Sequence, residues 1–305
     1  MYTFYKYNYR IKGLSMLTHE EMIGLQAEKG DIINPNDFKT KEEYVLHLIH
    51  SFAYIELSKT ALNKRVLDLG CNMGYGSEIL SRTAKKVIGV DVSEKAINSA
   101  KRQYYKQNID FQTIDGKKLP FEDNSFDIII SCQVIEHIVD YTDYLDEIKR
   151  VLKPSGTAFL TTPNAYIRLD LEMKPWNIFH VREYKHSELK SVLDKYFTSV
   201  KIMGLSAKKH LYLVERHRVT MARNAAREKQ AITLKSLIKK IIPKSVLDLR
   251  TSINSSKQNR DNNKPFDKTY SIDDLFYKTD NLDDALDFLA ICSKEKSNFK
   301  EIGFI

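Results

Sequence analysis

Val66-Leu67-Asp68-Leu69-Gly70-Cys71-Asn72-Met73-Gly74-Tyr75-Gly76-Ser77 is the stretch that decides the fold of this 305-residue chain. A short apolar strand gives way at once to a glycine-bearing turn and a helix start. Glycines in such a turn let a ligand approach the backbone, so the unit reads as the opening of an α/β sheet that binds at its carboxyl end. The pattern continues outward from it. Apolar or β-branched runs at 65–69, 87–90, 109–112, 126–131, 158–161 and 199–203 alternate with helical stretches, as in a parallel sheet covered by helices. Ser93 can cap the helix that runs through Ala100. Tyr144, Leu145, Ile148, Val151 and Leu152 give another helix one apolar face before Lys153-Pro154-Ser155-Gly156 stops it. The fold class is a doubly wound, mostly parallel α/β sheet.

The flanks divide the chain further. Residues 1–60 read as a lid and an entry helix, with Tyr2, Tyr5, Tyr7 and Tyr9 suited to the lid and 42–57 helical through Tyr44, Val45, Leu48, Ile49, Phe52 and Ile55. Residues 61–205 form the core. Residues 206–283 read as a basic helical insertion, with a polar, disordered linker at 251–269. The segment 284–305 carries a last strand at 288–292, after a helical pattern at 282–288. That strand is expected to pair with 199–203 as an antiparallel strand at the sheet edge. The net charge of +8 resides in the insertion, because 206–250 holds twelve Lys or Arg against Glu215, Glu228 and Asp248.

The turn itself is compatible with a dinucleotide, so the discriminating residue is Asp68, two positions before Gly70. A carboxylate there opposes a pyrophosphate and suits a ligand with a cationic amino-acid end, such as S-adenosylmethionine. The second strand ends in Asp91, followed by Val92, where an acid can accept both hydroxyls of a ribose. The third leads into Ile114-Asp115-Gly116, an apolar wall and a carboxylate suited to an adenine. Gly70, Cys71 and Gly74 supply the backbone of the turn, and Gln133, just after the fourth strand, is a further candidate for the cofactor site.

These motifs resemble those of the class I S-adenosylmethionine-dependent methyltransferases, in particular the branch with ubiquinone-type and polysaccharide-locus enzymes. The resemblance covers about residues 42–205. Asp68-Leu69-Gly70-Cys71-Asn72-Met73-Gly74 is similar to that family's first motif, Asp91 to its ribose acid and Asp115 to its adenine-side acid. Leu119-Pro120-Phe121, Phe126-Asp127 and Leu152-Lys153-Pro154-Ser155-Gly156 resemble its recurrent pieces. The resemblance implies a Rossmann-like fold with S-adenosylmethionine as cofactor. Asn72 departs from the family's usual glycine, and asparagine is the residue that best tolerates positive φ in glycine's place.

Methyl transfer from a sulfonium needs alignment and, for a hydroxyl acceptor, removal of a proton. His137, helped by Glu136, suits the role of base; the same pair equally suits hydrogen bonding within its loop. The run His180-Val181-Arg182-Glu183-Tyr184 resembles one in glycan-locus methyltransferases, and His180 and Arg182 suit contact with a hydroxyl-rich or anionic acceptor; a structural ion pair there is the alternative. No Asn-Pro-Pro-Tyr type sequence follows the fourth strand, which disfavours amine methylation of nucleic acid. No aspartate ends that strand to hold magnesium for a catechol-type acceptor, so metal-free O-methylation is the expected chemistry; the resemblance to polysaccharide-locus enzymes implies a sugar, a glycan or a lipid-linked glycan as the acceptor.

The segment 231–247 places Ile232, Leu237, Ile238, Ile241 and Ile242 on one face and lysines beside it, a pattern suited to an anionic membrane surface or to packing against the core. The arm's arginines also suit RNA phosphates, but Tyr212 is its one aromatic, which weakens base stacking. A quinone-like acceptor and a catalytically silent partner subunit complete the alternatives. Three scattered cysteines, Cys71, Cys132 and Cys292, form neither a disulfide framework nor a zinc motif, and with the lack of a secretory or membrane-spanning pattern they point to the cytoplasm.

Overall fold

A computed structural model describes residues 38–241 and 269–299, without the side chains of 229–241. Eight strands form one sheet in the order β3-β2-β1-β4-β5-β8-β6-β7. They are β1 (Arg65–Leu69), β2 (Lys86–Asp91), β3 (Ile109–Thr113), β4 (Phe126–Cys132), β5 (Leu152–Pro163), β6 (Ser199–Ala207), β7 (Leu275–Lys278) and β8 (Asp287–Ser293). The helices are α1 (Lys41–Ser58), α2 (Tyr75–Ser81), α3 (Glu94–Gln103), α4 (Tyr141–Val151), α5 (Ala165–Arg168), α6 (His186–Leu193) and α7 (Lys209–Ile241). β1 pairs in parallel with β2 on one side and with β4 on the other. The direction of winding therefore reverses between β1 and β4, which opens a crevice at their carboxyl ends.

The sheet is mostly parallel because its strands are apolar on both faces and helices must cover both. Alternate residues serve opposite layers. Leu67, Leu69, Ile129, Phe288 and Ala290 pack with Leu145 and Ile148 of α4 and Leu189 of α6. Val66, Ile128, Ile130, Leu289 and Ile291 face Tyr54 and Leu57 of α1 and Leu80 of α2. Caps set the helix starts: Thr40 accepts from the Glu43 N–H, Ser93 from that of Ala96 and Asp140 from that of Thr142.

The strand at 288–292 pairs antiparallel with 199–203, yet it is not an edge. β8 lies between β5 and β6, with Ile291 opposite both Phe159 and Lys201. An interior position suits Phe288-Leu289-Ala290-Ile291-Cys292, all fully buried, since an edge would leave one row of backbone groups unpaired. The antiparallel edge is β7, four residues that bury Leu275 and expose Phe276. The helical pattern at 282–288 yields one 3-10 turn, Leu282–Asp284, before the chain extends. The expected lid tyrosines, the linker at 251–268 and residues 242–247 of the basic arm lie outside the described residues. Among the described residues no helix is long and apolar enough to cross a membrane.

Asn164 ties the returning segment to β5. Its buried amide Nδ2 donates to the carbonyls of Leu282, Asp283 and Ala285 at 3.3, 2.9 and 2.7 Å, while its Oδ1 accepts from the Tyr166 N–H. Replacing Asn164 by Leu leaves those carbonyls without their donor. We expect a loss of about 2–4 kcal/mol, read from the midpoint of chemical denaturation.

Candidate cofactor and active site

The turn after β1 is a backbone construction. Gly70 and Gly74 hold φ of +82° and +84°, and Asn72 holds +48°, so asparagine does take up the glycine conformation. A Cβ on Gly70 would lie 2.4 Å from Val134 Cγ2, so that position excludes any side chain. The N–H groups of Gly70 and Cys71 both donate to Val90 O, pinning the turn to the end of β2. Asp91 completes the link: Oδ2 accepts from the Asn72 N–H and Oδ1 from the Ser93 N–H, both at 2.9 Å. Burial pushes the Asp91 carboxyl up despite these bonds. Cys71 is buried and its thiol lies well above the ordinary range, mainly through burial, so it takes the part of a small turn residue rather than a nucleophile.

Asp68, expected toward a ligand's cationic end, is fully buried at the end of β1. Its carboxylate accepts from Ser77 Oγ of α2 at 2.6 Å and from Tyr54 Oη of α1 at 3.1 Å. Burial raises its pKa to about 6, against the two hydrogen bonds. The residue thus joins β1, α1 and α2. Asp115 is the opposite case. It is exposed, and the N–H groups of Lys117 and Lys118 hold its carboxyl below the usual range. Gly116 beside it has φ +75°, and Val92, which is 37% exposed, approaches the same surface.

A cavity of about 1110 Å³ opens over these strand ends. The turn residues 70–73 line it together with Tyr75 and Tyr104, as do Cys132, Gln133 and Thr161 near the ends of β4 and β5, and Leu205, Tyr277, Asp287 and Phe288 from β6, β7 and β8. Helix α1 supplies His47, His50 and Tyr54 from above, and Asn177 and Phe179 close one side. Asn72 Oδ1 is buried without a hydrogen-bond partner, an acceptor that a ligand's ammonium or hydroxyl would satisfy. Positive-φ glycines that leave the backbone open, that orphaned oxygen, and acids at the ends of β2 and beyond β3 fit S-adenosylmethionine. Residues 70–73, Asp91, Val92, Asp115 and Gly116 would hold it.

The cavity also holds Asp287 and His50, which the sequence reading missed. Gln133 has φ +58°, and its Nε2 donates to Thr161 Oγ1 at 3.3 Å and to Asp287 Oδ2 at 3.1 Å. Asp287 is enclosed by protein except toward the cavity. Burial, reinforced by Glu215 and opposed by Arg168 and Arg218, pushes its carboxyl up to about 7. Burial lowers His50 to about 4, helped by Arg218, so its imidazole is neutral. An acid just before an apolar run is the signal for Asp287, but a strand-end cap looks the same in sequence.

His137, Glu136, His180 and Arg182 stand elsewhere. None of the four is in the cavity wall. Arg182 lies 5.0 Å over the Tyr141 ring and donates to Val139 O, so it is a loop clamp and not a partner of His180. Glu136, His137 and His180 are buried together, with His137 Nδ1 on the carbonyl of the cavity-lining Phe179. Glu136 accepts from Thr162 Oγ1 at 3.0 Å, and burial raises its carboxyl to about 8. His180 Nδ1 meets Glu183 Oε1 at 2.8 Å, and Arg168 Nε donates to Glu183 Oε2 at 2.9 Å, so the structural ion pair is present. Burial lowers the His180 pKa; burial opposes charge on Glu183 too, but His180 and Arg168 outweigh it and keep its carboxyl low. No metal was expected from the sequence; among the described residues these three are the one group whose donor atoms converge, all within 4.8 Å.

Residues 67–160 match the family model described as a methyltransferase domain. A Mycobacterium tuberculosis protein named as a probable S-adenosylmethionine-dependent methyltransferase is 34% identical over 157 residues, 51% of this chain and 57% of that protein. One of the same description from Mycolicibacterium smegmatis is 32% identical over 145 residues, 48% and 56% of the two chains. A ubiquinone biosynthesis O-methyltransferase of Coxiella burnetii is 37% identical over 123 residues, 39% of this chain and 53% of that one. The chain thus spans little more than half the length of the curated relatives it matches. The segment from β1 to β5 is a methyltransferase domain of the class I, S-adenosylmethionine-dependent type, and S-adenosylmethionine is its cofactor.

Two outcomes follow from this geometry. Asp91→Ala removes the acceptor that fixes the turn and should weaken S-adenosylmethionine binding by more than about tenfold in calorimetry; unchanged affinity would take Asp91 out of the site. Asp287 ionises at about 7 in the folded chain and near 3.8 when unfolded. Between those values the unfolded chain has released a proton that the folded one retains, so this group lowers stability as pH rises through the window. Asp287→Asn should therefore gain in Tm over the wild type from pH 4 to pH 7, and a constant difference would contradict the assignment.

Proposed function

We propose that the chain is an S-adenosylmethionine-dependent O-methyltransferase whose acceptor is a sugar, a glycan or a lipid-linked glycan. The observation that carries this reading is the polar part of the cavity lining, where hydrogen bonds from Gln133 link Asp287 and Thr161. The cofactor supplies an electrophilic methyl group on a sulfonium. The chain's residues have the remaining work: to hold an acceptor hydroxyl in line and to take its proton. Asp287, with a carboxyl near neutrality and facing the cavity, suits the proton acceptor, and Gln133 orients it. His47, His50 and Asn177 add polar groups for a hydroxyl-rich ligand, and Tyr277 and Phe179 offer faces for a sugar ring.

A second reading, a quinone-like acceptor, draws on the ubiquinone O-methyltransferase relatives and on the same aromatic residues. The basic arm, helical as far as Ile241, would bring the enzyme to an anionic membrane surface where a lipid-linked acceptor resides. The test incubates purified protein and methyl-labelled S-adenosylmethionine with extracts of the source cell and follows the label. Label in nuclease-resistant glycan or glycolipid is the expected result. Label confined to quinone or to RNA would replace the acceptor, and no transfer to any fraction would favour a silent cofactor-binding subunit.

A further inference from the structure

We propose that Glu136, His137 and His180 form a site for a divalent transition-metal ion of the zinc or manganese type. Both imidazoles are anchored through Nδ1. His137 Nδ1 lies 2.9 Å from Phe179 O, and a carbonyl only accepts, so that nitrogen carries the proton. His180 Nδ1 lies 2.8 Å from Glu183 Oε1, a carboxylate oxygen, with the same consequence. Each ring is therefore held in the tautomer whose Nε2 has a lone pair to offer. The rings meet edge to face, 4.8 Å between centroids at 79°.

Glu136 supplies the third donor. Its Oε2 accepts from Thr162, while Oε1 is buried without a hydrogen-bond partner and lies 4.0 Å from His137 Nε2. A carboxylate oxygen left orphaned among imidazole nitrogens costs energy unless something cationic takes it up. Ligands on a tetrahedral zinc ion stand roughly 3.3 Å apart, given metal–ligand distances near 2.0 Å. The three donors lie within 4.8 Å of one another, so small side-chain rotations would bring them onto one ion.

The surroundings fit a metal as well. An imidazole whose second nitrogen is anchored on a carboxylate or a carbonyl is the usual support of a metal-bound histidine. Here one ring is anchored on Glu183, which Arg168 holds in turn, and the other on the Phe179 carbonyl. Two histidines and one carboxylate leave coordination positions open. Phe179 and Gln133 flank the cluster and also line the cavity.

The experiment titrates the full chain, stripped of metal by chelator and dialysis, with Zn²⁺, Mn²⁺ and Co²⁺. One saturable equivalent is expected by calorimetry, with visible d–d absorption for Co²⁺. Glu136→Gln and His180→Ala should each weaken binding at least tenfold, while His186→Ala, whose ring faces Asp283 at 3.1 Å, should leave it unchanged. Glu183→Gln keeps all three ligands and still loses about tenfold, because only the orientation of His180 is relaxed. Circular dichroism establishes that each variant folds. Absence of saturable binding, or binding that survives both ligand substitutions, overturns the site. Metal binding without methyl transfer to any acceptor would sink the functional reading and leave the site standing.

Discussion

A single buried carboxylate organises the cofactor end of this molecule. Asp68 has no solvent to hydrate it, so its charge is tolerable only through the hydroxyls of Ser77 and Tyr54. Those two bonds fix the start of α2 and the flank of α1 to the central strand. Everything in the turn follows from that fixation: Gly76, where a Cβ would lie 2.2 Å from the Tyr54 ring, must be glycine, and α1 can come close enough to roof the cavity. Asp91 repeats the device one strand away, with backbone N–H groups as donors instead of hydroxyls.

The acceptor end depends on a different constraint, the insertion of β8 between β5 and β6. An antiparallel strand that enters there starts at the same edge of the sheet where the parallel strands finish. Its first residue, Asp287, is thereby set beside Gln133 and Thr161 from a position more than a hundred residues away in sequence. The segment is held at that height by Asn164, whose amide satisfies carbonyls that the tight approach to β8 would otherwise strand.

Legibility in the sequence tracks how local each signal is. The five parallel strands, the strand at 199–203 and the helix starts at Ser93 and in α1 were readable because period and caps are properties of neighbouring residues. Asp91 stands at the end of β2 and Asp115 just beyond β3, where local strand patterns put them, while the bonds that bury Asp68 under the turn come from α1 and α2. The edge assignment of β8 was not readable, because an apolar run announces burial without naming its neighbours. Asp287 and His50 escaped for the same reason: their meaning arises only when β8 and α1 meet over the cavity. Arg182 and His180, two residues apart, looked like one contact surface, yet a stack on Tyr141 and a bond to Glu183 send them to different places.

His137 shows how burial and anchoring redirect a residue's chemistry. A histidine base must reach a substrate proton and then carry charge. Here Nδ1 is committed to the Phe179 carbonyl, and the ring is enclosed by Glu136 and His180 behind the cavity wall. The arrangement anchors the ring through Nδ1 and leaves Nε2 4.0 Å from Glu136 Oε1, within the cluster and not at the cavity. A carboxyl group facing the cavity, with its charge opposed by Glu215 and supported by Arg168 and Arg218, is better matched to the proton. The division of labour thus follows from where the sheet exposes its polar groups: acids at the cavity for the reaction, and histidines with Glu136 behind it to hold a cation.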